Sequence, residues 1–233
     1  MIDILLAGVG GQGTVLAAKV LAQAAQSKGW QVRTAETIGM AQRGGNVTSH
    51  VRMGSNGGAV YSPLITPGTA DMVIALEPGE AARALPYLAP GGVLVTATTA
   101  IHPVTAALAS QPYRAGDVVA ALANSLQAEA SREQAAESIV APNTVTADQD
   151  ASTDGVEGYP VPLFIPVDDE ALVREAGAGS RKSLNMMLLA VAVAQGRVPL
   201  TVDELKDAVR ACVKPQFVAM NLAAIDTAVA NFG

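Results

Sequence analysis

The sequence is poor in cysteine and in aromatic residues. Its one cysteine among 233 residues, Cys212, cannot form an internal disulfide or a cysteine-rich zinc site, and such usage fits a reducing, cytoplasmic compartment. Aromatic residues make up 3% of the chain although hydrophobic residues make up 50%, and 44 residues are alanine. We therefore expect a folded chain whose core is built from alanine, valine, leucine, isoleucine and methionine.

Long apolar runs and an excess of basic charge are also missing. The longest charge-free apolar run, near 186–194, is far shorter than the ~20 residues that span a bilayer. Asp3 stands where a secretory signal would be basic. The net charge of −6 argues against nucleic acid as a partner. These absences predict a cytoplasmic protein that binds neither membranes nor nucleic acid.

The negative charge belongs to one segment of the chain. From Glu129 to Glu157 there are seven acidic residues and one base, Arg132, whereas the rest of the chain has 14 acidic and 14 basic residues. The second half of this segment, 143–158, is rich in Asp, Thr and Gly, as is typical of a flexible loop. We interpret it as a solvated surface insertion, with a docking surface for a basic partner as the alternative. The arginines elsewhere are then available to an anionic ligand.

Apolar runs and helix-forming stretches alternate along the chain. This alternation predicts an α/β fold with a mostly parallel sheet plus a β-hairpin, in a single domain over 1–233. The predicted strands are 1–9, 30–35, 72–76, 93–96 and 163–167, and the hairpin joins 47–53 to 59–62. The predicted helices are 14–28, 77–88, 118–138, 168–176, 184–195, 202–212 and 216–230.

A glycine-rich turn joins the first predicted strand to the first predicted helix. Gly8, Gly10 and Gly13 form the pattern G-x-G-x-x-G, with Gly11 and Gln12 inside it. Glycines let the backbone approach an anion, and a helix N-terminus offers unpaired N–H groups. Glu36, 23 residues after Gly13, would suit the ribose of a dinucleotide, so a nicotinamide enzyme is one interpretation. A tight turn that binds nothing is the other.

A second polar loop follows the second predicted strand. Arg43 precedes Gly44 and Gly45, and the segment after them carries the polar residues Ser49, His50 and Arg52. In an open α/β sheet this loop should share the carboxyl edge with the glycine turn, where ligands bind. The two arginines and His50 could together meet a phosphate or carboxylate. Taken alone, each arginine fits a surface cation better than a ligand-binding residue, but together with the glycine turn the cluster is more specific than any of its parts.

These motifs together resemble one family. The GVGGQG turn, the stretch ETIGMAQRGGNVTSHVR at 36–52 and the stretch SRKSLNMMLL at 180–189 are similar to the gamma subunit, or gamma domain, of thiamine-diphosphate-dependent 2-oxoacid:ferredoxin oxidoreductases. Within it, the small subunits of indolepyruvate-type enzymes are the most similar branch. The resemblance covers residues 1 to about 100 and 163–233, and the segment at about 112–160 departs from it as an insertion.

The resemblance implies a Rossmann-like three-layer α/β/α domain that is a non-autonomous subunit. It implies oxidative decarboxylation of a 2-oxoacid, indolepyruvate or another aryl pyruvate, to an acyl-coenzyme A, with electrons passing to ferredoxin. Thiamine diphosphate, Mg²⁺ and iron–sulfur clusters would belong to a large partner subunit, coenzyme A would be a co-substrate, and the isolated chain would hold no metal, carry no catalytic residue and be inactive. The implied substrate- or cofactor-binding residues are Gly8, Gly10, Gly11, Gln12, Gly13, Arg43, Gly44, Gly45, Ser49, Arg52 and Asn185.

Two other functions stay open on the sequence alone. One is an autonomous NAD(P)-dependent oxidoreductase on a Rossmann fold, although no Tyr-x-x-x-Lys relay is present. The other is a nucleotide- or anion-binding regulatory module. The acidic triplet 168–170 is interpreted as the first turn of a helix and not as a metal site.

Overall fold

A computed structural model describes residues 1–39, 45–101, 113–139 (129–139 by backbone only), 162–177 and 181–233. The strands are β1 (Ile2–Val9), β2 (Gln31–Ile38), β3 (Asn46–Gly54), β4 (Ala70–Ala75), β5 (Leu88–Ala97) and β6 (Leu163–Val167). The helices are α1 (Thr14–Ser27), α2 (Pro78–Ala84), α3 (Ala115–Ile139), α4 (Asp169–Glu175), α5 (Leu184–Ala194), α6 (Val202–Cys212) and α7 (Pro215–Phe232).

The six strands form one mixed sheet in the order β2-β3-β1-β4-β5-β6. β1, β4, β5 and β6 are parallel, whereas β3 is antiparallel to both of its neighbours. The predicted α/β class and mostly parallel sheet are confirmed. The unit β1-α1-β2 is split, because β3 lies between its two strands.

The predicted hairpin between 47–53 and 59–62 is wrong. β3 pairs along its whole length with β1 on one side and β2 on the other, and 59–62 forms no strand. The turn-forming residues at 54–58 suggested a local partner. However, Val51 and Met53 become fully buried because β3 lies between two long strands. Tyr61, in the segment predicted to pair with β3, remains exposed.

Alternate residues of the strands feed two apolar cores, one on each face of the sheet. On one face Ile4 and Leu6 join a large core with α1, α4, α5, α6 and α7. On the other face Leu5 and Ala7 join a smaller core with α2 and α3. The largest fully buried side chains of the described residues are aliphatic or methionine, in line with the scarcity of aromatic residues. The three-layer arrangement is thus the observed one.

The acidic segment begins within α3, whose range contains the predicted helix 118–138. Leu122 and Leu126 of this helix are buried in the smaller core, so the first part of the segment 112–160 packs on the sheet. The acidic side chains from Glu129 to Glu157 lie outside the described side chains. Over the part of the chain that is described, no helix is long and apolar enough to cross a membrane.

Candidate functional site

Two backbone N–H groups of the glycine turn have no hydrogen-bond partner in the part of the chain that the structure describes. The turn connects β1 to α1, and its ends are fixed by hydrogen bonds from Gly10 N to Gly45 O (2.8 Å) and from Gln12 N to Val9 O (3.1 Å). The N–H groups of Gly11 and Gly13 donate to no acceptor among the described residues. Gly10 was predicted to donate to a ligand, but its N–H is used within the fold. An anion at this turn would therefore meet Gly11, Gly13 and the first turn of α1.

Gln12 braces the turn from inside. Its Oε1 accepts a hydrogen bond from Val9 N at 2.6 Å, and its Nε2 donates to Leu76 O at 2.7 Å. The amide therefore ties the turn to the end of β4, and one of its N–H groups is already engaged. Gly8 serves the same close packing, because a Cβ there would lie 2.8 Å from Thr14 Oγ1 and 3.0 Å from Gln12 Oε1. Gln12 and Gly8 therefore shape the turn through contacts with other parts of the protein.

The start of α5 is held against the turn by Asn185. Its Nδ2 donates to Gly13 O at 3.0 Å, and the side chain is buried. Gly13 has a φ of 82°, and a Cβ at this position would lie 2.6 Å from Asn185 Nδ2. Glycine is thus required at 13 by both the backbone conformation and the neighbour. The predicted site residue Asn185 is brought to the glycine turn, although its amide contacts protein.

A cavity of about 480 Å³ lies beside this junction. The glycine turn and two cations, Arg181 and Lys182, line it together with apolar side chains; the full lining is Val9, Gly10, Gly11, Gln12, Ile101, Arg181, Lys182 and Leu184. The volume falls in the range of small-molecule sites. α1 begins at this junction without a side-chain N-cap, whereas α5 continues a 3-10 turn at Arg181–Ser183 and its Met186 N donates to Asn185 Oδ1 at 3.0 Å. The combination favours an anionic group attached to an apolar body.

Sequence reasoning missed the two cations of this cavity. Arg181 and Lys182 stood inside the stretch 180–189 that carried the family resemblance, but neither was predicted to bind a ligand. The available signal was a pair of basic residues immediately before a helix whose first turn carries Asn185. A cation at a helix C-terminus would complement the helix dipole, whereas a basic pair at the N-terminus does not, so the dipole does not explain why the pair stands there.

Arg181 is tied to a buried carboxylate. Its Nη2 lies 2.6 Å from Asp169 Oδ2, and Asp169 is completely buried. The other carboxylate oxygen, Oδ1, accepts hydrogen bonds from Thr98 N (3.1 Å) and Thr99 N (2.9 Å). The acidic triplet is the first turn of a helix as predicted, with Asp168 as the N-cap that accepts from Ala171 N at 3.0 Å. Asp169 has the additional role of joining the end of β5 to Arg181.

Arg52 lies at the other end of the sheet from the glycine turn. Because β3 is antiparallel to β1, Asn46 faces Val9 at the turn while Arg52 faces Asp3, about 20 Å away along the strand. The guanidinium pairs with Asp3 Oδ1 at 3.0 Å and donates to Ser62 O and Leu64 O. The prediction that Arg52 and the glycine turn share one ligand does not fit this geometry. The direction of β3, which the sequence did not reveal, is the reason.

His50 and Ser49 are also part of the scaffold. His50 Nδ1 accepts a hydrogen bond from Ile65 N at 3.2 Å, and burial lowers the pKa of its imidazole, which keeps the ring neutral. Like Arg52, it fastens the segment after β3 to the sheet. Ser49 is fully buried, three register positions from the pair Val9–Asn46, and its hydroxyl has no hydrogen-bond partner among the described residues. Arg43 and Gly44 lie outside the described residues; Gly45 contacts the turn through its carbonyl.

The geometry argues against a dinucleotide site of the usual kind. Glu36 lies on β2, which is separated from β1 by β3, so the two strands are about 10 Å apart. Its register partner is Ser49, opposite Leu6, three residues before the end of β1. In a dinucleotide-binding fold the acidic strand adjoins the glycine-turn strand directly. Among the described residues there is also no group of three or more His, Cys, Asp or Glu side chains placed to hold a metal ion.

Comparison with known proteins decides the family. The model of the pyruvate ferredoxin/flavodoxin oxidoreductase family matches residues 3–231. The chain belongs to this family. It is a gamma-type subunit of a 2-oxoacid:ferredoxin oxidoreductase, as the three motifs predicted, and hence part of a multisubunit enzyme.

Three relatives illustrate the likeness. The chain is 32% identical over 226 residues to the indolepyruvate oxidoreductase subunit IorB of Archaeoglobus fulgidus, covering 96% of this chain and 92% of that protein. The gamma subunit of a keto/oxoacid ferredoxin oxidoreductase from Geobacter sulfurreducens has the same fold, with a TM-score of 0.60, 19% identity and coverage of 99% and 97% of the two chains. The 2-oxoglutarate:ferredoxin oxidoreductase of Magnetococcus marinus, solved with 2-oxoglutarate, coenzyme A and succinyl-CoA bound, matches with a TM-score of 0.60 and 18% identity over 98% of this chain and 30% of that larger one.

Proposed function

We propose that the chain is the small subunit of an indolepyruvate:ferredoxin oxidoreductase and that its cavity binds the phosphate groups of coenzyme A. The overall reaction converts a 2-oxoacid, coenzyme A and two oxidised ferredoxins into an acyl-CoA, carbon dioxide, a proton and two reduced ferredoxins. The 32% identity to an indolepyruvate oxidoreductase subunit supports the substrate class. A structural relative that binds coenzyme A supports the co-substrate.

One observation carries the role of this chain. The side chains of Arg181 and Lys182 and the backbone of Gly11, whose N–H donates to no described residue, line one cavity beside the start of α1, a helix without a side-chain N-cap. Backbone N–H groups at helix N-termini and cationic side chains are the groups that bind phosphates in proteins. The apolar residues Ile101 and Leu184 offer a surface to the non-ionic part of the ligand.

The redox and decarboxylation chemistry is assigned to a partner. One cysteine cannot ligate an iron–sulfur cluster, and the described residues contain no carboxylate cluster for Mg²⁺. Thiamine diphosphate, Mg²⁺ and the clusters would thus reside in a large partner subunit that delivers electrons to ferredoxin. When bound there, thiamine diphosphate supplies the carbanion chemistry of decarboxylation. Coenzyme A held on this chain would present its thiol to that subunit.

Calorimetric titration of the full-length chain tests the binding role. Coenzyme A should bind, and pantetheine, which has the thiol arm without phosphates, should bind at least tenfold more weakly. The affinity for coenzyme A should fall as the salt concentration rises. Equal binding of both compounds would contradict the phosphate site. NAD⁺ binding more tightly than coenzyme A would favour the nicotinamide alternative.

The complex itself tests the substrate class and the partner. The complex purified through a tag on this chain should contain iron, sulfide and thiamine diphosphate, and should reduce ferredoxin faster with indolepyruvate than with pyruvate or 2-oxoglutarate. A chain that purifies without these groups would contradict the partner assignment. A preference for pyruvate would contradict the substrate class while leaving the family unaffected.

A further inference from the structure

The cation that the cavity presents is itself held by another residue. We propose that Asp169 is a positioning residue of this site, which fixes the guanidinium of Arg181 so that one edge is paired within the protein and the other faces the ligand. The inference deepens the proposed phosphate-binding role and rests on it. Asp169 itself does not line the cavity, so it would act through Arg181.

The contacts of Asp169 use both of its oxygens. Oδ1 accepts from two consecutive backbone N–H groups, those of Thr98 and Thr99, and Oδ2 lies 2.6 Å from Arg181 Nη2. The carboxylate is completely buried. A buried carboxylate held from two sides has a fixed plane, and it transfers this fixed orientation to the arginine that pairs with it.

Helix capping does not explain why an aspartate occupies this position. Asp168 already caps α4 through Ala171 N, so Asp169 is free to reach away from its own helix. It stands two residues after the end of β6, whereas Thr98 and Thr99 follow β5, the neighbouring parallel strand. Asp169 thus joins the carboxyl ends of two adjacent strands to the residues that precede α5. This edge of the sheet is where ligands of open α/β folds bind.

Arg181 is suited to serve two partners at once. Its Nη2 is buried against Asp169, yet 31% of its side chain is exposed and it lines the cavity. A guanidinium has five N–H donors in a rigid fork, so pairing at one nitrogen leaves the others for a phosphate. A side chain that is already immobilised loses less conformational entropy when the ligand binds. A lysine at 181 would satisfy Asp169 or the ligand but would offer no second edge.

Asp169→Asn isolates the ion pair from the rest of the contacts. Asparagine keeps an oxygen for Thr98 N and Thr99 N but places an amide N–H₂ against Arg181, so the backbone contacts survive while the pair is lost. Calorimetry on the full-length chain should show about a fivefold weaker affinity for coenzyme A. Arg181→Ala should weaken it about tenfold. Unchanged or tighter binding by Asp169→Asn would overturn the proposal.

A double-mutant cycle separates positioning from a general structural role. In an Arg181→Ala background, Asp169→Asn should change the affinity by less than twofold, because the residue through which it acts is gone. In a Lys182→Ala background the fivefold effect should persist. An equal effect in both backgrounds would overturn the proposal. Should Asp169→Asn fail to fold, Arg181→Lys replaces it: a loss close to that of Arg181→Ala supports the two-edged role, and wild-type affinity overturns it.

A readout without ligand distinguishes this inference from the proposed function. In the ¹⁵N-labelled chain, the Nη2 protons of Arg181, which face Asp169, should exchange with solvent more slowly in wild type than in Asp169→Asn. Equal exchange rates would overturn the positioning role whatever the ligand. If the wild-type chain bound no coenzyme A but the exchange rates differed as expected, the proposed function would fail and the positioning of Arg181 would stand.

Discussion

Two arginine–aspartate pairs lie at opposite ends of the sheet and differ in what else the arginine contacts. Arg52 pairs with Asp3 at the amino end of β1 and also contacts Ser62 O, Leu64 O and Met1 Sδ. Arg181 forms an ion pair with Asp169 beyond the carboxyl end of β6, and no hydrogen bond joins its side chain to a described residue. Both carboxylates are buried. The Arg52 guanidinium, with several protein partners, holds the fold together, whereas the Arg181 guanidinium lines a cavity and its remaining N–H groups meet no described residue, so they can face a ligand.

The largest expected effect is the loss of stability when the pair between Arg52 and Asp3 is broken. Arg52→Ala should lower the free energy of unfolding by about 3 kcal/mol, because it leaves the buried Asp3 carboxylate without its cation. Urea denaturation followed by circular dichroism measures this. Arg210→Ala, which breaks the exposed pair with Asp207, should cost less than about 0.5 kcal/mol. Equal costs, or weaker binding of coenzyme A by folded Arg52→Ala, would remove the contrast between the two ends.

The next largest losses of stability are expected from substitutions in the glycine turn. Gly13→Ala should cost about 2 kcal/mol, because it adds left-handed strain and displaces Asn185 from Gly13 O. Gly11→Ala, at a φ of 97° with open space around its Cβ, should cost about 1 kcal/mol from strain alone. Thermal unfolding of the two variants makes the comparison. A larger cost at Gly11 would show that the contact with Asn185 does not stabilise the turn.

The smallest expected effect is a pH dependence from His50. Burial lowers the pKa of its imidazole in the folded chain, so the unfolded chain binds the proton first as the pH falls. This contribution to stability is fully present above about pH 6.5, the ordinary pKa, and is lost as the pH falls toward the lower folded value.

His50→Asn tests this assignment, because its Oδ1 can still accept from Ile65 N but cannot titrate. Unfolding free energies measured between pH 7 and 5 should fall less steeply for the variant than for wild type. Parallel curves would show that His50 does not carry the difference.

The sequence was most informative where the structure depends on neighbours in the chain. A strand, a glycine turn and a helix follow one another over residues 1–28 as predicted, because glycine conformations and helix propensity are local properties. The pairing of β3 could not be obtained this way, since the choice between a short hairpin and two long strands is settled by burial. Arg52 was misplaced for the same reason: its position relative to the turn depends on the direction of β3.

The candidate site shows the same division. Gly13 and Asn185 were both predicted as site residues, from separate motifs, and the structure brings them into contact. Arg181 and Lys182 were overlooked, because a basic residue in a sequence does not reveal whether its donors are used. Asp169 was identified as part of a helix start, and only its contacts with Thr98, Thr99 and Arg181 show that it does more. Which hydrogen-bond donors and acceptors of a side chain are already used can be seen only in the folded chain.

The contact between Asn185 and Gly13 has a consequence for the newly made chain. The two residues are 172 positions apart, so at ordinary rates of translation roughly 10 to 30 s pass between their synthesis. During that interval the glycine turn exists without Arg181, Lys182 and Leu184, which line the other side of its cavity. An amino-terminal fragment should therefore offer an anionic ligand no enclosed site. Ligand binding would then report that the chain has been synthesised at least as far as α5 and that α5 has packed against the glycine turn.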